Sequence, residues 1–436
     1  MPFTRLLLAF SLLLLLLFAG LTWVIRVAPL AADDATSLEM QGDVDAAYEP
    51  VTAVEERTPV FDSANPLPPA ATQFQPAEPT HAVEPIAPEP TPGPASLLLP
   101  TPSPTPAQDV TPVAQAVQLT GFRHMWQTWN NCGPATLAMN LSYFGSGLDQ
   151  AVVGATLRPN PEDKNVNPQE LAAFARQQGY AAAVRVDGDA ATLRALLDNG
   201  FPVLIETWLE PEPNDGLGHY RLLVGYDDLA EQWIAYDSYV GVNFVNPNGD
   251  YQGIHLPYAE LDPLWKVFNR TFVLILPLER RALVESILGD PLEDSAMWTK
   301  ALATADRELV SDAADRFAWF NRGSALTALG DNVGAVEAFD RARGLGLPWR
   351  MLWYQFGPFE AYNAVGRHQD VIQLTDTILA PDVQIEELYF WRSRAFEALG
   401  DGAAATTAWD QAVYLNPNYA NGVTVVAPGT PIGRWE

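Results

Sequence analysis

The chain has 436 residues, which is long enough for two or three domains, and it carries a formal net charge of −28. Only 18% of its residues are charged and no basic cluster stands out, so nucleic acid is not expected as a partner. The single cysteine excludes an internal disulfide and zinc sites built on cysteine clusters. The fold must therefore rest on its hydrophobic core.

The N-terminal segment predicts a membrane anchor. Residues 6–25 are twenty apolar or small residues between two arginines, which is the length that a helix needs to cross a bilayer. A cleavable signal peptide, with Ala31-Ala32 as a poor cleavage site, is the alternative. Residues 1–26 are expected to hold the protein in the cell membrane by a single span, or to direct its secretion, with the body extracytoplasmic in both cases.

Residues 27–112 form a linker that is rich in Pro, Ala, Thr and Glu. Proline removes backbone donors and biases the preceding residue towards extended conformations, so this stretch cannot build a packed element. We expect a disordered, semi-stiff spacer that holds the following domain clear of the membrane. A ligand for a polyproline-binding domain is the alternative.

The only cysteine, Cys132, lies where the sequence predicts the start of a helix. Pro134 suits a first helical turn, apolar residues recur at helical spacing up to Phe144, and Gly145 offers a left-handed stop. Unpaired N–H groups at a helix N-terminus favour a thiolate, which makes Cys132 a candidate nucleophile. Gln127, five residues upstream, is a candidate donor to a developing oxyanion. A small buried structural thiol is the alternative.

The sequence after Cys132 predicts helices first and strands later, which indicates an α+β domain. An Asn-Pro-Gln-Glu capping pattern starts one helix, and β-branched and aromatic residues mark the strands. The predicted helices span 167–179 and 189–199, and the predicted strands span 202–208, 219–226, 233–237 and 270–275.

Two of the predicted strands carry candidate partners for the cysteine. His219 begins one strand, straight after the Gly-rich acidic loop 210–218, where we expect it to be accessible and suited to act as a general base. Asp237 ends the next strand. If the two strands pair as a hairpin, Asp237 lies near His219 and can orient its imidazole. A structural histidine and a capping aspartate are the alternatives.

These residues resemble a known family, the C39-like cysteine peptidases, relatives of the bacteriocin-processing peptidases. The resemblance covers roughly residues 115–278. It implies a papain-like fold, with Cys132 as nucleophile, His219 as base, Asp237 as orienting residue and Gln127 as oxyanion donor. The sequence lacks the phosphate-binding loop of transporter-fused members. The motifs that carry the resemblance are Gln127, Asn131-Cys132-Gly133-Pro134-Ala135, Asn165-Val166-Asn167-Pro168-Gln169-Glu170-Leu171, Gly218-His219-Tyr220, Val224-Gly225-Tyr226-Asp227-Asp228 and Tyr236-Asp237.

From about residue 280 the pattern becomes helical and repeats. Gly330, Gly366 and Gly400 are spaced as in tetratricopeptide repeats, which these units resemble, and the second unit is degenerate. Stacked helix pairs leave a concave face for a protein partner. Four aromatic residues of the second unit are expected to pack in its core, with a role in lining that groove as the alternative: Trp349, Trp353, Tyr354 and Phe356.

The sequence therefore predicts a peptidase domain at 113–278, helical repeats at 279–422 and a tail at 423–436. The expected function is a thiol peptidase that hydrolyses peptide or protein substrates, with a protein partner on the repeats. A catalytically silent peptide-binding protein and a papain-like cell-wall amidase or acyltransferase are the alternatives.

No cofactor is expected, and no metal, since 248–250 (Asn-Gly-Asp) lacks the remaining ligand spacing of a calcium loop. We expect the peptidase domain to fold without the repeats; packing of the repeats onto its core is the alternative.

Overall fold

The computed structural model describes residues 114–210, 216–239, 251–289, 294–379 and 383–420. The predicted anchor, all of the linker and the tail at 423–436 lie outside these residues, as do most of the acidic loop and residues 248–250. Among the helices that are described, none is both long and apolar enough to span a bilayer.

The first part of the described chain is an antiparallel sheet with helices around it, so the predicted α+β class is confirmed. The helices are α1 (Cys132–Tyr143), α2 (Gln150–Leu157), α3 (Pro168–Gln177), α4 (Ala190–Asp198) and α5 (Tyr258–Lys266). The strands are β1 (Ala116–Gln118), β2 (Tyr180–Arg185), β3 (Val203–Leu209), β4 (Leu217–Asp227), β5 (Gln232–Asp237), β6 (Ile254–Pro257) and β7 (Phe272–Pro277).

The sheet has the strand order β2-β7-β3-β4-β5-β6, and every pair in it is antiparallel. The long strand β4 lies between β3 and β5, and the short β1 pairs with β4 beyond the end of β3. A register shift in β4 occurs just before Gly225. A Cβ at Gly225 would lie 2.2 Å from the carbonyl oxygen of Val117, so only glycine lets β1 approach here.

Helix α1 is the central helix and packs against β4. All of its residues from Gly133 to Leu141 are buried, because the helix is covered on every side. The hydroxyl of Thr136 donates to the carbonyl oxygen of Tyr220 in β4, at 3.2 Å. The N-terminus of α1 is thereby fixed against the strand that carries His219.

The second part of the described chain is helical. Its α-helices are α6 (Arg281–Leu288), α7 (Asp294–Ser311), α8 (Arg316–Ala328), α9 (Asn332–Gly344), α10 (Gly357–Ala364), α11 (His368–Leu379), α12 (Glu386–Ala398) and α13 (Gly402–Leu415). Short 3-10 helices span Leu278–Arg280, Trp349–Trp353 and Pro417–Tyr419.

The helical part is consistent with three repeats. Helices α8 and α9, α10 and α11, and α12 and α13 pack as consecutive pairs. The turn of each pair has a glycine at positive φ: Gly330 at 86°, Gly366 at 83° and Gly400 at 80°. The middle pair begins with the shortest of the six helices, which agrees with the degenerate second unit in the sequence.

The two parts share a hydrophobic core. Trp208 of β3, together with Val267 and Phe268 after α5, belongs to the core cluster that contains Phe339 and Phe359 of the helical part. Met297, Trp298 and Ala301 of α7 in turn pack into the core that contains α1. The structure therefore supports the alternative expectation, in which the repeats complete the core of the peptidase domain.

Candidate active site

Cys132 is the first residue of α1, as predicted, and its side chain is partly exposed. The preceding residue, Asn131, is the N-cap but makes no side-chain capping bond, which leaves the helix N–H groups available. The N–H groups of Gly133 and Tyr220 both bond to the Cys132 sulfur. A nucleophile at this position is stabilised as a thiolate and remains accessible.

His219 is placed beside Cys132 by strand β4. It is the third residue of this strand and only 1% exposed, so the expectation that it lies accessibly at a strand mouth is wrong. Strand β4 begins two residues earlier than predicted, and β3 pairs with this part of β4, with Thr207 opposite His219. Its Nε2 atom lies 2.8 Å from Oδ1 of Asp237, which leaves Nδ1 for its hydrogen bond with Cys132.

Asp237 is the last residue of β5 and is completely buried. The predicted hairpin is present, and its register puts Asp237 opposite Arg221, two residues from His219 on β4. Asp237 therefore lies on the same face of the sheet as the histidine. Its Oδ1 also accepts a hydrogen bond from the N–H of Tyr239 at 2.8 Å, which fixes the carboxylate.

Arg221 holds the other oxygen of this carboxylate. Its Nε donates to Oδ2 of Asp237 at 2.9 Å, and its Nη1 donates to Oγ1 of Thr207 at 2.5 Å. The sequence interpretation missed Arg221, although its spacing of two from His219 places both side chains on one face of a strand. Arg221 acts on Asp237 rather than on Cys132, so it is a positioning residue.

A second histidine, His124, lies on the other side of Asp237. Its Nε2 is 2.8 Å from the Asp237 carbonyl oxygen, and its ring stacks on Tyr251 at 3.6 Å between centroids. Burial lowers the pKa of His124 more than the interactions with Asp237 raise it. This favours a neutral ring that donates to the backbone, so His124 supports the end of β5.

The pKa values of the cysteine and the histidine shift in opposite directions. Burial alone would raise the pKa of Cys132, but the hydrogen bond and charge of His219, with two backbone N–H groups, lower it overall. Burial also opposes a charged imidazole, yet Asp237 raises the pKa of His219 to about 9. These shifts favour a thiolate–imidazolium pair near neutral pH.

This pair predicts the pH dependence of alkylation. The thiolate forms as pH rises through the lowered pKa of Cys132, so iodoacetamide should label Cys132 at pH 7 faster than it labels a free thiol of pKa about 8.5. The imidazolium is lost as pH rises through about 9, which should give a second step there. Labelling rates from pH 4 to 10, read by mass spectrometry, test this. A single step at the pH of a free thiol would contradict the ion pair.

Gln127 lies beside the end of β5. Its N–H donates to the carbonyl oxygen of Ser238 at 2.8 Å, and its Oε1 accepts from the Ser238 hydroxyl at 2.8 Å. Because Ser238 occupies the oxygen of the side-chain amide, the Nε2 group is left as the donor. Cys132, His219 and Asp237 are thus in contact with one another in sequence, and Gln127 lies beside Ser238, the residue that follows Asp237.

The family comparison agrees with this geometry. Residues 107–253 match the family described as Peptidase_C39 like family. The resemblance seen in the sequence is therefore confirmed for these residues, and the α+β part of the chain up to Pro277 is referred to as the C39-like domain, with a papain-like fold where it is described. The helical part that follows it is consistent with repeats.

Three solved structures are distantly similar. A protein described as a C39-like peptidase from Bacillus anthracis is 16% identical, with a TM-score of 0.30 over 37% of this chain and 97% of its own. The peptidase domain of Streptococcus ComA, a bifunctional ABC transporter involved in quorum sensing, is 16% identical, with a TM-score of 0.28 over 36% and 99%. MamA protein is 16% identical, with a TM-score of 0.25 over 33% and 89%. No curated protein matches the chain.

Proposed function

We propose that the protein is a cysteine peptidase that hydrolyses peptide bonds through Cys132, His219 and Asp237. The observation that carries the proposal is the continuous line of contacts from the thiol to the imidazole and from the imidazole to a carboxylate that Arg221 fixes. In a structural role, the thiol would need neither a lowered pKa nor an oriented base.

The proposed reaction begins with attack of the Cys132 thiolate on a peptide carbonyl carbon. His219 gives its proton to the leaving amine as the C–N bond breaks, which leaves a thioester on Cys132. The imidazole then takes a proton from water, the hydroxide attacks the thioester, and the thiol is released. Gln127 and the N–H groups at the start of α1 stabilise the oxyanion in both halves of the reaction.

The oxyanion role predicts the effect of Gln127→Ala. Loss of one donor costs about 3 kcal/mol in the transition state, which is roughly a hundredfold in kcat. Ser238→Ala is the matched control, because it removes the hydroxyl that holds Gln127 and retains the donor. It should cost less. Equal rates for wild type and a well-folded Gln127→Ala variant, with fluorogenic peptides, would exclude this role.

The helical part is proposed to be a tetratricopeptide-like module that binds a protein partner or a protein substrate. Its three helix pairs support this proposal. Its position beside the site supports it too, because the ring of Tyr354, from the helical part, packs so closely on Gly218 that a Cβ at Gly218 would lie 3.0 Å from it. Gly218 precedes His219 on β4. A substrate held by the module would thus be close to Cys132, where tethering raises its effective concentration.

Residues 6–25 are proposed to anchor the protein in the cell membrane, with the body extracytoplasmic, or to act as a signal that is cleaved before secretion. The length and apolar character of this run support the anchor. Protease protection of the full-length chain in intact cells distinguishes an external body from an internal one.

A peptide-library digest tests the proposed activity. The full-length chain should generate new peptide N-termini, whereas the Cys132→Ala form should generate none. Stoichiometric labelling of Cys132 without any cleavage would identify a silent peptide-binding protein. Release of fragments from peptidoglycan, with the library left intact, would identify a cell-wall amidase.

A further inference from the structure

Four buried carboxyl groups meet where the C39-like domain contacts the helical part. Asp163 and Glu170 come from the C39-like domain, and Glu386 and Glu387 from the first turn of α12. Asp163, Glu386 and Glu387 have no exposed surface, and Glu170 is 5% exposed. One oxygen from each of the three glutamates lies within 4.8 Å of the others.

Side-chain amides surround this acidic cluster and donate to its outer oxygens. Asn165 Nδ2 donates to Oε1 of Glu387 at 2.6 Å. Asn416 Nδ2 donates to Oε1 of Glu170 at 3.2 Å and to Oε1 of Glu386 at 3.3 Å. Glu170 accepts a hydrogen bond at each oxygen, with the backbone N–H of Asn167 donating to Oε2 at 3.0 Å, and Glu386 and Glu387 each accept at one oxygen, so the orientation of each carboxylate is fixed.

Three oxygens of the cluster have no hydrogen-bond partner: Oδ2 of Asp163, Oε2 of Glu386 and Oε2 of Glu387. Their residues are fully buried. No described lysine or arginine forms an ion pair with any of the four acids. Burying such oxygens without a partner is costly unless a proton or a ligand compensates them.

Local contacts do not supply the missing partner. The carboxyl groups of Asp163 and Glu386 are close enough to share a proton, but this leaves Oε2 of Glu387 without a donor. The N-terminus of α12 favours negative charge, but it supplies no hydrogen bond to Oε2 of Glu387. The nearby Arg158 donates instead to the carbonyl oxygens of Pro161, Asp163 and Trp129.

We propose that this acidic cluster binds one Ca²⁺ ion, with Glu170, Glu386 and Glu387 as its ligands and Asp163 beside them. Calcium takes six to eight oxygen ligands at about 2.3–2.6 Å, so two of its ligands can lie up to about 5 Å apart. The glutamate oxygens meet this limit. Mg²⁺ usually keeps several of its waters and is bound by only one or two carboxylates, so a buried set of three carboxylates suits Ca²⁺ better.

The ion would join the two parts of the protein. Lys164 N–H donates to the carbonyl oxygen of Gln384 at 3.0 Å, so the backbones already touch beside the cluster. The same segment also contacts strand β4, since the carbonyl oxygen of Val166 accepts a hydrogen bond from the Tyr220 hydroxyl at 2.9 Å. Tyr220 follows His219 on β4. Calcium bound here would stabilise the contact of α12 with the loop that supports this strand.

The test is calcium binding by the full-length chain, purified in detergent and stripped with EGTA, and it needs no activity readout. Titration calorimetry with CaCl₂ should give one ion per chain. At a hundred times the Kd, bound calcium should raise Tm by about 4 °C. Glu386→Gln and Glu387→Gln should each weaken binding by about a hundredfold, because each loses a ligand charge.

Glu360→Gln is the matched control. Glu360 on α10 also has a buried oxygen without a hydrogen-bond partner. Burial alone raises its pKa, with no contribution from a neighbouring carboxylate, so Glu360 lies apart from the acidic cluster and this variant should bind calcium as wild type does. Wild type that shows neither heat nor a Tm shift at about 1 mM calcium would overturn the proposal. So would calcium binding that is unchanged in both cluster variants.

Discussion

Replacement of Cys132 by alanine should abolish peptide hydrolysis, with a loss of about 10⁴-fold or more in kcat. The variant removes the atom that attacks the carbonyl carbon, and no other cysteine exists to replace it. Its fold should be unaffected, because a smaller side chain at this partly exposed position opens no closed cavity. Fluorogenic peptide assays, with circular dichroism to check the fold, measure the effect.

Asp237→Asn is the informative comparison for this prediction. The amide keeps the shape of the side chain but loses the charge that raises the pKa of His219, so the ion pair weakens without loss of the nucleophile. We expect activity between that of wild type and that of Cys132→Ala. Wild-type turnover in Cys132→Ala, or no effect of Asp237→Asn, would contradict the assigned roles.

Removal of the helical part should prevent the C39-like domain from folding. A chain that ends at Gly289 would expose Trp208, Val267 and Phe268, each of which loses about 1.5–3 kcal/mol of burial free energy. It would also lose the α7 side chains that fill the core around α1. The sum is comparable with the whole stability of a domain.

A chain that ends at Ala420 is the control for this truncation, since it keeps every described residue. Size-exclusion chromatography and urea unfolding should show aggregation or early unfolding of the shorter form only. A monomeric chain ending at Gly289 that unfolds cooperatively and cleaves short peptides would restore the expectation that the repeats serve recruitment alone.

Local signals in the sequence predicted most elements around the site. The Asn-Pro-Gln-Glu pattern gives the capping box of α3, in which Asn167 and Glu170 bond reciprocally. The glycine after α1 has a φ of 85°, as a left-handed stop requires. The pairing of β4 and β5 as a hairpin was also predicted, but the register shift before Gly225, which brings Asp237 opposite Arg221, was not.

Elements that depend on distant contacts were missed. Strand β2 contains Ala181-Ala182-Ala183, which has no strand propensity, and it forms a strand because it pairs with β7 almost ninety residues later. The burial of His219 likewise depends on β3 and on the helical part, which lie outside its local sequence. The acidic cluster was invisible for the same reason, since Asn165 and Glu387 are 222 residues apart.

If the peptide bond is broken through a covalent intermediate on Cys132, acid-quenched mass spectrometry should detect that intermediate. The full-length chain is mixed with a peptide library and quenched within the first turnover. We expect an acyl adduct on Cys132 that neutral hydroxylamine removes and that does not form in Cys132→Ala. New peptide N-termini produced without any adduct on Cys132 would contradict a covalent mechanism.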